Sequence, residues 1–408
     1  MADKAPFDAT RRPQPQAPQQ MQSPTDEKTI IQDVEKVLVD AVEAGATDIH
    51  FEPLQESLNV RMRVGGSLRQ VRDFSDKVRS NVVNRLKVQS GMDITRNRMP
   101  QSGFIRREFG ERKIELYVHV MPSLYGESVT VNLQYKQSAT MRLSELGMSA
   151  ATLTAYRKAL SKSSGLYLVT GPPGSGKRTT IYASILEVLR PDMLVVGFDP
   201  IVKYEIPGMI QGKPDDRAEF TFADGISSLL KQEPDVAYVG DITNEAEARC
   251  TIQGAFAKRL VVARMTANDS INAIQNLIDM GVQPFLLAAS LAAVLNQRLI
   301  RKLCPACREP YPVTEDLVKE IGLRLPPEGR FYRAVGCPAC NQSGYLGSVA
   351  IFELYLPSEE LNKMIVAKEP LQAVRQRAQR EGLMALKVDG VLKALGGFCT
   401  LEEVLNAL

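Results

Sequence analysis

The chain has two histidines in 408 residues, His50 and His119, and no apolar run long enough to cross a bilayer. Its longest apolar stretch, PFLLAASLAAVL at 284–295, falls well short of the ~20 residues that a spanning helix needs. The alanines in that stretch predict a buried helix instead. The amino terminus has no basic segment followed by an apolar one, so no secretory signal is expected and the cytoplasm is the expected compartment. Neither sign of charge dominates: 50 Lys and Arg stand against 47 Asp and Glu. The basic residues are scattered and not interleaved with aromatics, so they read as a solvated surface and no nucleic-acid partner is expected. A composition of 44% apolar and 24% charged residues excludes disorder as the main state. Cysteine is sparse, six in all. In a reducing compartment such residues serve as metal ligands or buried apolar groups rather than disulfides.

The length allows two or three domains. Residues 1–27, with KAPFDATRRPQPQAPQQMQSPTD, have almost nothing to bury and are expected to form a disordered Pro/Gln-rich tail. From Thr29, IIQDVEKVLVDAVEAGA spaces apolar residues helically and stops at Gly45. DIHFEP then alternates as a strand, and SLNVRMRVGGSLRQV predicts a hairpin turning at Gly65 and Gly66. KIELYVHVMPSLYGESVTVNLQYK (113–136) alternates again on both sides of a turn. Residues 28–137 therefore read as a small α+β domain, followed by a linker at 138–146.

Four apolar runs follow, GLYLV, DMLVVGFDP, PDVAYVGD and RLVVARMT, separated by helical patterns. Strands buried on both faces and joined by helices predict a parallel sheet, here a RecA-like α/β domain over 147–298. A cysteine-bearing insert at 299–350 and short amphipathic helices at 351–408 complete the chain. In the last segment Thr400 and Glu403 have the spacing of a capping box.

VTGPPGSGKRTT, residues 169–180, lies between an apolar strand and a helix. Such a glycine-rich turn points backbone N–H groups at phosphate and feeds the positive end of a helix. Gly171, Gly174, Ser175, Gly176, Lys177, Arg178 and Thr179 are thus candidate nucleotide-binding residues. Arg178, however, stands where a hydroxyl normally ligates Mg2+, and a guanidinium has donors only. It could pair with phosphate directly. Thr179 is one position late, about 100° around the helix.

Cys304, Cys307, Cys337 and Cys340 sit in LCPACREPY and GCPACNQSGY, two C-x2-C knuckles able to give one tetrahedral Zn2+ four thiolates. Both histidines lie elsewhere, so the local ligand set is all-thiolate. A closed set leaves no open position for catalysis, which makes this zinc a structural staple. Cys250 and Cys399 are expected to be buried structural residues. His50 is expected to be a packed or hydrogen-bonded strand residue, and Asp215, Asp216 and Glu219 to lie on a solvated loop.

The order of ATDIHFEP, RVGGSLRQV, MPQSGF, the glycine loop, KQEPDVAYVGD, NQRLIRKLCPACREPY, GCPACNQSGYLGSVAIFELY and TLEEVL resembles the type II secretion and type IV pilus assembly ATPases over about residues 28–408. The resemblance implies a PAS-like amino-terminal domain hinged to a RecA-like ATPase domain carrying a zinc insert. It also implies hexamers that couple ATP turnover to movement of an inner-membrane platform protein, driving pilin or pseudopilin assembly. Location would be cytoplasmic, peripheral to the inner membrane through partners.

Departures from the family pattern fall where the chemistry sits. VGFDP keeps Asp199 but has Phe198 at a glutamate position. In GDITN, Asp241 replaces the expected glutamate, and Thr243 and Asn244 replace charged residues. Arg259 and Thr266 occupy two histidine positions, and Tyr117 and Asn132 fall where arginines are offered to the nucleotide. Asp199 and Asp241 remain the candidate catalytic carboxylates. These losses predict ATP binding with little or no hydrolysis, in a structural or regulatory subunit of a homo- or hetero-hexamer beside an active paralogue. Two other readings stay open. One is an active motor with Arg178, Arg259 or Arg264 as substitute cations; the other is an unrelated nucleic-acid-binding zinc protein.

Overall fold

The computed structural model describes residues 27–109, 112–135, 141–162, 164–202, 204–214, 220–314, 321–323, 325–326 and 329–408. The tail expected at 1–27, Glu27 apart, the first part of the expected linker and the Asp215, Asp216 and Glu219 loop lie outside these residues. The chain divides into two units, Met1–Lys136 and Gln137–Leu408.

In the first unit, helix α1 (Glu27–Glu43) buries Ile30, Val34, Val37, Leu38, Ala41 and Val42, the stripe that a 3.6-residue period puts on one face. With α2 (Arg79–Gln89) it shares one core with a six-stranded sheet. The strands are β1 (Asp48–Pro53), β2 (Ser57–Val64), β3 (Ser67–Ser75), β4 (Gln101–Phe109), β5 (Arg112–Ser123) and β6 (Gly126–Tyr135). They lie in the order β3-β2-β1-β6-β5-β4, every neighbouring pair antiparallel. Alternate residues such as Leu58, Val60 and Met62 are buried. Gly65 and Gly66 make the expected hairpin turn with φ of 56° and 84°, the left-handed pair that a two-residue turn between twisted strands demands. His50 is held in β1, Nδ1 lying 3.3 Å from Thr130 Oγ1. Tyr117 and Asn132 face each other across β5 and β6, where Asn132 donates to Asp48 Oδ1 and Tyr117 to Glu115.

The second unit is built on a seven-stranded sheet. Its strands are β7 (Gly165–Thr170), β8 (Val195–Phe198), β9 (Met209–Gly212), β10 (Val236–Asp241), β11 (Leu260–Met265), β12 (Leu291–Leu303) and, after a short ribbon of β13 (Glu309–Pro312) and β14 (Arg330–Arg333), β15 (Tyr345–Tyr355). The order is β15-β12-β7-β11-β10-β8-β9. All neighbours are parallel except β15, which runs antiparallel to β12. The four apolar runs thus form the predicted parallel sheet.

Helices α3 (Ala150–Leu160) and α4 (Lys177–Val188) share one core with Tyr167 and Val169 of β7. Leu166 and Leu168 of the same strand join a second core with α5 (Phe222–Lys231), α6 (Glu245–Phe256), α7 (Ser270–Asp279) and α8 (Pro284–Ser290). Alternation along β7 therefore assigns helices to both faces of the sheet.

The stretch 284–295 corrects the sequence expectation of one buried helix. It is helical only through Ser290, and from Leu291 it becomes β12, parallel to β7. A uniformly apolar run carries no period, so a helix and a doubly covered strand look alike in it. Cys399 is fully buried as expected, but Cys250 is only half-buried at the edge of the second core. Thr400 caps the last helix, Leu401–Asn406, by accepting from Glu403 N; the reciprocal half of the expected capping box is absent, because the Glu403 carboxylate goes to Arg301 instead.

Candidate nucleotide site and cysteine cluster

The loop after β7 turns through Gly171, Gly174 and Gly176, with φ of 145°, 77° and 85°, and delivers Lys177 to the first turn of α4. Left-handed φ favours glycine at the last two positions. At Gly171 space also decides: a Cβ there would lie 2.4 Å from Gln297 O and 2.6 Å from Ser175 Oγ. Lys177 Nζ donates to the Gly171 and Pro172 carbonyls at 2.6 and 3.0 Å. Burial lowers its pKa from the ordinary lysine value, with Asp241 pulling the other way.

Arg178 turns toward Asp199. Its Nη2 lies 3.5 Å from Oδ1 and its Nε 3.5 Å from Oδ2, with Arg178 16% and Asp199 3% exposed at the side chain. Asp199 also accepts from Arg264 Nη2 at 3.0 Å, from Ile201 N at 3.0 Å and from the Tyr238 hydroxyl. Burial first, and then the Asp199 charge, push the Tyr238 pKa well above that of an ordinary phenol, so it remains a donor. Burial opposes the Arg178 charge most strongly of any single cause, but Asp199, Tyr238 and Tyr182 together outweigh it and raise the Arg178 pKa. Asp241, 37% exposed and at the end of β10, has Oδ2 3.8 Å from Arg264 Nε, and burial raises its pKa against the pull of Arg264 and Lys177.

Of the residues singled out by sequence, Lys177, Arg178, Asp199, Asp241 and Arg264 converge at the carboxyl ends of β7, β8, β10 and β11. Arg259 does not: it precedes β11, at the opposite end of the strand from Arg264, away from this chain's own glycine loop. Phe198 packs into the core, 5.4 Å from Phe220 and 5.6 Å from Phe222 between ring centres. Thr243 and Asn244 serve helix α6: Thr243 donates to Glu247 through N and Oγ1, and Asn244 accepts from Glu247 N. Thr266 is exposed, and Thr179 is half-buried on α4.

Sequence reasoning missed Gln297 of β12, which donates to Ser175 O and accepts from Thr180 Oγ1, bracing the loop from the neighbouring strand. It also missed Asn296, which donates to Thr170 Oγ1. The signal was there: two amides interrupting an apolar run must be paired when buried.

Whether Mg2+ fits can be tested on the donors. Its protein oxygens in such sites come from the residue after the loop lysine and from an aspartate on a neighbouring strand. Here the first is a guanidinium, and each aspartate already has a guanidinium beside it. Unpairing a buried ion pair costs about 3–5 kcal/mol. The residues present do not fit a magnesium ion in its ordinary place.

The four knuckle cysteines do fit a metal. Their sulfurs all lie within 4.8 Å of one another, with Cys304–Cys337 and Cys307–Cys340 at 3.8 Å and Cys337–Cys340 at 3.7 Å. A tetrahedron with Zn–S of ~2.3 Å has edges of about 3.8 Å. Cys340 Sγ accepts N–H bonds from Cys337 and Gly344 at 3.2 Å each, and although burial opposes ionisation these donors draw its pKa below the ordinary thiol value. The second knuckle carries Asn341 and Gln342 at φ of 49° and 60°, local strain held by the turn around the sulfurs. The cluster belongs to the connection between β12 and β15, and the adjoining ribbon shares a core with the last two helices through Phe331, Val391, Cys399 and Leu401.

Strand, glycine loop and helix at the carboxyl edge of a parallel sheet define a P-loop nucleotide-binding protein. The chain matches the family model described as Type II/IV secretion system protein over residues 23–406 and belongs to that family of secretion and pilus assembly ATPases. It is 38% identical over 381 residues to Type II secretion system protein E of Aeromonas hydrophila, across 93% of this chain and 76% of that one. It is 34% identical over 394 residues to the type IV pilus assembly ATPase PilB of Thermus thermophilus, across 96% of this chain and 44% of that one. The X-ray structure of the Legionella pneumophila ATPase DotB shares the fold, with a TM-score of 0.69 at 14% identity over 92% of this chain and 95% of that one. Among the described residues no helix is long and apolar enough to cross a membrane.

Proposed function

We propose that this chain binds ATP without turning it over, as a structural or regulatory subunit of a type II secretion or type IV pilus machine. The observation that carries the reading is Arg178, placed where a metal-ligating hydroxyl belongs and paired to the buried Asp199. Phosphoryl transfer is driven by positioned charge, and losing one arginine finger alone costs ~10³–10⁵ in rate. Here the hydroxyl, the expected glutamates and the amino-terminal arginines are replaced together, while Lys177, the glycine loop and the Gln297 brace remain. A hexameric ring, shared with an active paralogue and seated on an inner-membrane platform protein from the cytoplasmic side, is the assembly this reading implies, with Zn2+ as a structural staple at the four cysteines. Family membership removes the alternative of an unrelated zinc protein that binds nucleic acid.

The test is steady-state phosphate release from the full chain with ATP and Mg2+, on protein verified to contain zinc so that a disordered insert is not mistaken for inactivity. The expected rate equals that of Lys177→Ala. Turnover that Lys177→Ala abolishes would establish an active motor instead.

A further inference from the structure

The charged groups around the loop are unevenly matched. Lys177, Arg178 and Arg264 bring three positive charges to a site with two carboxylates, Asp199 and Asp241. Arg178 Nε, Arg264 Nε and Ser175 Oγ are buried with no hydrogen-bond partner, and each can donate; Asp241 Oδ1 is in the same condition and can only accept when ionised. Spare donors around a phosphate-type loop suit an anion. Lys177 meanwhile spends its ammonium on two loop carbonyls, oxygens that phosphate oxygens could replace.

A divalent cation faces the opposite situation. It would meet a guanidinium at its first ligand position and a second guanidinium between the two aspartates. Bidentate pairing with phosphate is what a guanidinium does well. The charge that a metal ion brings to a triphosphate is already built into the protein here.

We propose that this chain takes its nucleoside triphosphate as the free anion, without a divalent cation, with Arg178 supplying the positive charge beside the phosphates and Arg264 keeping Asp199 occupied. This deepens the proposed function, since it rests on nucleotide binding without turnover and names the ionic form of the ligand. No bond is made or broken in the binding step.

Calorimetric titration of the full chain with ATP, once in excess EDTA and once in excess Mg2+, tests it. Wild type is expected to bind in both, with affinities within about threefold of each other. Arg178→Thr, which returns a hydroxyl to the ligand position, is expected to bind more than about tenfold weaker in EDTA than in Mg2+. Arg178→Lys should retain binding in EDTA, and circular dichroism would show that each variant is folded. Wild-type binding seen only with Mg2+, or in neither condition, overturns the proposal; so does a folded Arg178→Thr that binds in EDTA as wild type does. The two readings fail separately. Binding that needs Mg2+ but yields no phosphate defeats this inference alone, whereas phosphate release defeats the proposed function.

Discussion

Arg264 donates to the buried carboxylate of Asp199 at 3.0 Å. The pair joins the ends of two strands, β8 and β11, that are separated by β10 in the sheet. Arg264→Met leaves Asp199 without one of its two guanidinium partners and is expected to cost about 3–5 kcal/mol in urea unfolding. Adding Asp199→Asn should recover part of that loss, because the amide removes the unpaired charge. A double variant no more stable than Arg264→Met would show that the arginine acts through packing rather than through the pair.

Lys177→Ala should weaken ATP binding by about tenfold or more, since a charge-assisted contact to phosphate is lost. Its melting temperature without nucleotide should stay near that of wild type, since Lys177 bonds only loop carbonyls there. Titration calorimetry and a thermal melt read the two effects.

Phe198→Glu restores the residue type of the family pattern, yet it should neither give phosphate release nor leave the fold intact. The site is enclosed by Phe220, Phe222 and Gly225, and an uncompensated buried carboxylate there should cost about 3 kcal/mol or more. Gly225→Ala probes the same packing, because its Cβ would come within 1.9 Å of the Phe198 ring. A cost of about 1–3 kcal/mol is expected, relieved by adding Phe198→Leu.

One zinc per chain is expected by metal analysis, lost in Cys304→Ser or on strong chelation. Hydrogen exchange should then accelerate first in Arg330–Arg333 and Leu401–Asn406, which share a core next to the cluster. Unchanged exchange after metal loss would mean that the cysteines do not staple this core.

Glu403 carries a pH dependence. Burial opposes its charge, but Arg301, hydrogen-bonded at 3.0 Å, holds its carboxyl below the usual glutamate value. Its contribution is therefore fully present above the unfolded carboxyl pKa of about 4.3 and is lost as pH falls through the depressed folded value. Glu403→Gln should flatten that portion of an acid-unfolding curve.

Much of this molecule can be read along the chain. The glycine loop, the paired cysteines, the Gly65-Gly66 turn and the four apolar strands depend on local steric preference or on short-range alternation, and both are written in neighbouring residues. The stretch 284–295 shows where such reading stops: a continuous apolar run has no period, and only its place beside β7 makes its second half a strand. The same holds for the charged site. Arg178 and Asp241 are visible as departures from a family pattern, Asp199 as a residue the pattern keeps and Arg264 as a candidate cation, but their mutual neutralisation depends on distances across four strands. Arg259 and Arg264, five positions apart in sequence, end up at opposite ends of β11, because an extended strand carries residues apart at about 3.3 Å each. Local sequence decides which groups are present; the parallel packing of the sheet decides which of them share a field.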